Sequence, residues 1–219
     1  MRTQPQEWNG EENLKERGLD AEVARLRVGR PVREFERILK RMEREIPFLT
    51  LMADRRGKPF LEAWIAWQFG RAIGATHARL APEYAPDDFY LKRRGIGWQP
   101  WQATEAMLEG RQRATEFRAR APQHGEVRHV EDEEILRESA GALPAIIKAL
   151  ERKKAAGGRL VIYWNTGWLR GASAFIEGLR AQSEPYQGDF TEAWVMGSSS
   201  LFRLAPDFEM VKGPPAAFT

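Results

Sequence analysis

The stretch "PDDFYLKRRGIGWQPWQATEA", Pro86–Ala106, decides how this chain is read. "DFYLKRR" alternates apolar and polar residues with period two, and "GWQPWQATEA" is aromatic and extended. "RGIG" between them supplies the Gly-containing connection of a hairpin. Asp87 and Asp88 then stand at the head of one strand and Gln102 and Glu105 near the end of its partner. Carboxylates at one end of a hairpin otherwise suited to burial are the feature to be explained.

Upstream, "DRRGK" reads as a turn, and Pro59 opens a helix, "PFLEAWIAWQFGRAIGA". Its Leu61, Trp64, Ile65, Phe69, Ala72 and Ile73 leave little of the circumference polar, so it should be covered on most sides. That makes Glu62 conspicuous. "ARLAPEYA" after it can hold a short strand. Earlier still, Pro31 starts a helix in which Val32, Phe35, Ile38, Leu39, Met42 and Ile46 recur at helical spacing. A shorter helical pattern begins at Asp20, and residues 1–18 read as a loosely ordered arm.

Downstream come an Arg-rich stretch, "LEGRQRATEFRARAPQHG", and the acidic "EDEEILRESAG". Pro144 then starts a helix closed by "AAGG", and "LVIYWNTG" is the most apolar strand and the candidate for the sheet centre. "SAFIEGLRAQS" reads as a helix, "FTEAWVMG" and "LFRLA" as strands, and the Pro-rich end as a tail. This order of elements predicts an α/β sandwich around one mixed sheet. The expected organisation is an N-terminal arm and helices over 1–50 and an α/β domain over 51–219.

Composition narrows the function classes. With 219 residues, 42% of them hydrophobic, eight Trp and eleven Phe, the chain can bury enough apolar surface to fold. No apolar run is long enough to span a bilayer, and the first residues lack the apolar core of a signal peptide. With no Cys there are no disulfides, thiolate metal sites or Cys nucleophiles, and the expected location is cytoplasmic. A net charge of +3 and a pI near 9.3, with Arg ahead of Lys, point to anionic partners, although the same balance suits an ordinary solvated surface.

The common nucleotide-binding signatures are absent, with no G-x-x-x-x-G-K-[ST] and no G-x-G-x-x-G after a strand. Gly197-Ser198-Ser199-Ser200 lies between two strands and reads as a turn, and His77, His124 and His129 have no metal-ligand spacing. The carboxylates remain: Glu62 in the covered helix, Asp87 and Asp88 at a strand start, Glu105 at a strand end. Clustered carboxylates repel unless a cation sits among them, and a hard divalent ion takes one or two of them together with waters and a substrate phosphate.

A covered helix bearing Glu62, "PDDF" leading a strand, a hairpin, a strand with a polar end, then a helix and an apolar strand resemble the PD-(D/E)XK nuclease-like superfamily and its restriction-endonuclease-like αβββαβ core. More narrowly, "PDDFYLKRRGIGWQPWQATEAMLEGRQRATEF" is similar to uncharacterised bacterial members in which "PDF" precedes "EVTEA" and then "GRxR…E". The resemblance covers roughly residues 59 to 205. It implies Mg²⁺ or Mn²⁺ held by Glu62, Asp88 and Glu105, with Asp87 the alternative to Asp88 if the register slips by one. It implies phosphodiester chemistry at Asp88, Gln102 and Glu105, with Gln102 positioning water or a phosphate oxygen. Gln102 and Thr104 stand where the superfamily has an acid and a lysine, a departure that keeps open a protein of this fold that binds nucleic acid or a protein partner without cutting.

Arg93, Arg94, Arg111 and Arg113, with Arg118 and Arg120 beyond them, flank this site in sequence and are the candidate nucleic-acid contacts. Simpler roles stay open. Asp88 can close an Asx turn, Glu62 can favour a helix first turn, Glu105 can cap a following helix, and the arginines can form a solvated face. The Trp residues at 64, 67, 98 and 101 suit a core better than a base-stacking platform. Helix 31–47 offers its apolar face to a homodimer or to its own domain.

Overall fold

Eight strands run side by side in chain order in the computed structural model, which describes residues 10–52, 57–107, 132–164, 172–197 and 200–212. They are β1 (Arg30–Pro31), β2 (His77–Leu80), β3 (Phe89–Arg93), β4 (Gly97–Glu105), β5 (Arg159–Tyr163), β6 (Glu192–Met196), β7 (Ser200–Ala205) and β8 (Glu209–Lys212). The first four form an antiparallel meander, β5 and β6 continue the sheet parallel to β4, and β7 and β8 return antiparallel. Parallel neighbours need crossovers, and helices occupy both of them. The described helices are α1 (Gly10–Leu26), α2 (Val32–Glu45), α3 (Phe48–Met52), α4 (Lys58–Ala72), α5 (Asp132–Lys153) and α6 (Ala172–Ser183).

Helices cover both faces of the sheet, and strand alternation sorts the side chains between them. On one face α1, α2 and α4 pack over Phe89, Leu91, Trp101, Val161, Tyr163 and Trp194. On the other, α5 and α6 pack over Leu160, Ile162, Ala193 and Val195. β5 contributes to both cores, which is why "LVIY" is apolar without alternation. The α4 contact is close enough that a Cβ on Gly70 would lie 3.1 Å from the Leu91 side chain, so glycine lets the helix backbone approach β3. Phe69 beside it meets Trp101 edge-on with ring centroids 4.7 Å apart. At the hairpin, Gly95 and Gly97 both have φ of 78°, the left-handed region that favours glycine.

Several elements depart from the sequence expectation. α1 begins at Gly10, so much of the expected arm is helical; "ENLKER" consists largely of residues of good helix propensity. α5 begins at Asp132, and Pro144 lies inside it instead of starting it. The carbonyl that loses its donor there belongs to exposed Ala140, while Ala142, Ala145, Ile146, Ala149 and Leu150 hold the helix onto the sheet. The tail contributes β8, whose Glu209–Lys212 pairs with β7. α3 and the two-residue β1 carry no periodicity long enough to read. Val32, Phe35, Ile38, Leu39 and Met42 of α2 are buried in the same core as α4 and the sheet, so the apolar face offered to a homodimer is covered within the chain. Among the described residues no helix is long and apolar enough to cross a membrane.

Candidate functional site

β3 and β4 stop being neighbours at the Phe89 and Trp101 pair, where β4 runs on to Glu105 alongside β5. Asp88 stands at this step. Its backbone N–H donates to the Trp101 carbonyl at 2.9 Å, and its carboxylate Oδ2 accepts the N–H of Ala103 at 2.7 Å. The side chain thus continues the ladder past the end of β3 and satisfies an amide that would otherwise lack a partner there. Its other oxygen, Oδ1, faces α4.

Two residues of α4 meet it, one turn apart on the helix. Lys58 Nζ lies 2.7 Å from Glu62 Oε1 and 3.8 Å from Asp88 Oδ1. One ammonium therefore sits between two carboxylates. Glu62 Oε1 is buried, and the cation it faces is the Lys58 ammonium. Burial is the main force on Glu62 and pushes its carboxyl up to about 7, with the Asp88 charge adding to the rise and the Lys58 ammonium opposing it. The ammonium itself is raised, chiefly by its contact with Glu62. Glu62 and Asp88 keep only 16% and 20% of their side-chain exposure whereas Lys58 keeps 69%, so the acids are fixed and the cation can leave.

The structure separates the other expected site residues. Of the two aspartates, Asp88 faces the helix, while Asp87 accepts a long hydrogen bond from the Tyr90 hydroxyl at 3.4 Å. Gln102 does not share the Asp88 centre. It and Thr104 point to the opposite face, as alternation with Trp101 and Ala103 requires, and there Lys153 Nζ donates to Gln102 Oε1 at 3.1 Å and Arg152 donates to Thr104 Oγ1. Glu105 has the parity of Ala103 and so belongs to the α4 face, at the far end of β4 beside Tyr163. Among the described residues no three His, Asp or Glu side chains gather into a metal-ion donor set, so Glu105 does not complete one with Glu62 and Asp88.

The two described candidate arginines, Arg93 and Arg94, do not rim the site either. Arg93 ends β3, about 16 Å along the strand from Asp88, and is engaged. It donates to Gln99 Oε1 at 2.7 Å and to Glu192 Oε1 at 2.6 Å, and Arg159 reaches the same Glu192 oxygen at 3.1 Å. Arg94 lies in the exposed hairpin turn at that far end. Arg111, Arg113, Arg118 and Arg120 lie outside the described residues. Sequence reading missed Lys58, although the four-residue step from Lys58 to Glu62 places both on one helix face. Lys153 and Arg152 carried no such signal, because only the crossover brings them to β4.

Two fixed carboxylates facing one exchangeable cation suit a hard divalent ion, which takes one or two carboxylates and leaves its remaining positions to water and substrate oxygens. No family model, no curated protein and no solved structure matches this chain.

Proposed function

We propose that this chain is a restriction-endonuclease-like protein of the PD-(D/E)XK type that acts on DNA or RNA phosphodiesters with the help of Mg²⁺ or Mn²⁺. The observation that carries the reading is the convergence of Glu62 from α4 and Asp88 from the head of β3 on one cation position. Support also comes from the order α4, β2, β3, β4, α5, β5, which follows the αβββαβ core that the sequence resembles.

Glu62 and Asp88 Oδ1 would hold the ion in place of the Lys58 ammonium, and Asp88 Oδ2 stays on the Ala103 amide, which fixes the carboxylate's orientation. A bound ion supplies charge against the phosphate oxygens and a water of lowered pKa. Lys58, displaced but tethered one turn from Glu62, is the ammonium able to offset charge on the phosphate, the role left open by Thr104 at the usual lysine position. In the reaction the water oxygen would give up a proton to solvent and bond to phosphorus, the bridging P–O bond would break, and the departing oxygen would take up a proton from solvent.

A specific observation favours a second reading, a protein of this fold that binds without cutting. Lys58 already stands between the two carboxylates, and Gln102 is directed to Lys153 on the other face. Incubation with plasmid, single-stranded DNA and RNA in Mn²⁺ separates the two. Cutting that falls at least 100-fold in Asp88→Asn and in Glu62→Gln supports the enzyme. Intact substrates with the parent chain, or equal cutting by Asp88→Asn, leave only the binding protein.

A further inference from the structure

Away from the carboxylates, α2 borders a cleft of about 720 Å³ lined almost entirely by cations: Arg25 from the end of α1, Arg30 from β1, and Arg37, Lys40, Arg41 and Arg44 from α2 itself. Glu34 is the one acid in the lining, and Ile38 the one apolar residue. Several of these charges are matched. Glu22 contacts both Arg25 and Arg41, Glu34 pairs with Arg30, and Lys40 has Glu36 at 2.9 Å with Glu43 also near. Arg37 and Arg44 are the surplus, exposed and without a carboxylate partner among the described residues.

The spacing of the row identifies what it fits. Arg37, Arg41 and Arg44 fall at i, i+4 and i+7, one helix face, over about 10 Å of axis. A nucleic-acid strand presents one phosphate per ~3.4 Å of duplex axis, so the row covers about three successive phosphates. Guanidinium forks match phosphate oxygens, and the cleft has no aromatic side chain on which a base could stack. The helix carrying the row is held by Phe35, Leu39 and Met42, all essentially fully buried, so the cations stand on a fixed support.

We infer that this cleft is a nucleic-acid backbone site that grips phosphates without reading sequence. It shares a nucleic-acid partner with the proposed function and rests on that reading for its partner, but it does not involve Glu62 or Asp88. Binding through it is driven by counterion release and so weakens as salt rises.

The test is fluorescence anisotropy of the full chain with a random-sequence duplex and a single-stranded oligonucleotide over a salt series. The Arg37→Ala/Arg44→Ala double variant, whose exposed positions leave the fold alone, should bind about 10-fold more weakly, with the slope of log K against log salt reduced by about two for the duplex. Arg33→Ala, on the same helix outside the cleft lining, should match the parent. Asp88→Asn/Glu62→Gln should also keep binding, so a chain that binds but never cuts defeats the enzyme reading and leaves this one standing. The inference is overturned if the parent binds neither oligonucleotide at low salt, or if the double Arg variant keeps the parent affinity and slope. It is equally overturned if inorganic tripolyphosphate competes as well as the oligonucleotide at equal phosphate concentration, which would mark a compact anion site.

Discussion

The two ends of β3 use the same kinds of charged residue to opposite effect. At the hairpin end, Glu192 accepts from Arg93 and Arg159, Arg93 also reaches Gln99, and the Trp194 indole N–H donates weakly to the second Glu192 oxygen at 3.4 Å. Four strands are tied there by one satisfied network. At the Asp88 end, two carboxylates share one solvent-reachable ammonium, and the more buried acid is held near neutrality. A satisfied network stabilises a sheet and leaves nothing for a ligand. An under-satisfied one is where a cation gains most by binding.

The contrast can be broken first at Glu192. Glu192→Ala removes the acceptor from two half-buried guanidiniums and should lower stability by about 3 kcal/mol, read as a shifted urea midpoint with unchanged slope. A loss no larger than that of an exposed pair would show that this end is not the satisfied network described.

The next effect lies at Glu62 and depends on pH. Its folded pKa, about 7, lies above the ordinary 4.5, so between these values the folded chain keeps a proton that the unfolded chain has released. The stability this group contributes is therefore fully present below about 4.5 and is lost as pH rises through 7. Glu62→Gln should flatten that decline, making the variant about 2 kcal/mol more stable relative to the parent at pH 8 than at pH 4. Parallel stability curves for the two proteins would show that Glu62 ionises as freely as a surface carboxylate. Saturating Mn²⁺ should restore most of the parent's loss at high pH if the ion binds there.

The smallest effect is expected at Lys58. Its side chain is mostly exposed, so Lys58→Met should change stability by less than about 0.5 kcal/mol. Removing the ammonium takes away the influence that lowers the Glu62 pKa, so carboxyl resonances in an NMR titration should show Glu62 titrating at higher pH than in the parent.

Much of the sheet was legible because its signals are local. The Phe89–Arg93 alternation, the Gly95 and Gly97 turn and the apolar Leu160–Tyr163 run each report a strand within a few residues. Glu62 and Asp88 were legible because a carboxylate in an apolar helix and another at a strand head are anomalies of pattern. Gln102 was misplaced because its neighbours Trp101 and Ala103 take the α4 face, and one step along a strand reverses the side chain. Lys153 and the true position of Arg93 depend on a crossover and on β6, contacts that no local window contains. The cleft along α2 escaped for the same reason, since Arg25 and Arg30 join the row only when α1 and β1 fold back beside it.

The reach of β4 beyond β3 has a further consequence for synthesis. Gln102–Glu105 has no neighbouring strand until Arg159–Tyr163 has been made, an interval on the order of seconds at translation speed. An unpaired strand edge invites pairing with other chains, and charge or polarity along it discourages that. "QATE" is the polar end of an otherwise aromatic strand, and Asp88 already occupies the amide of Ala103. Gln102, Thr104 and Glu105 thus form an edge able to wait in water for its partner.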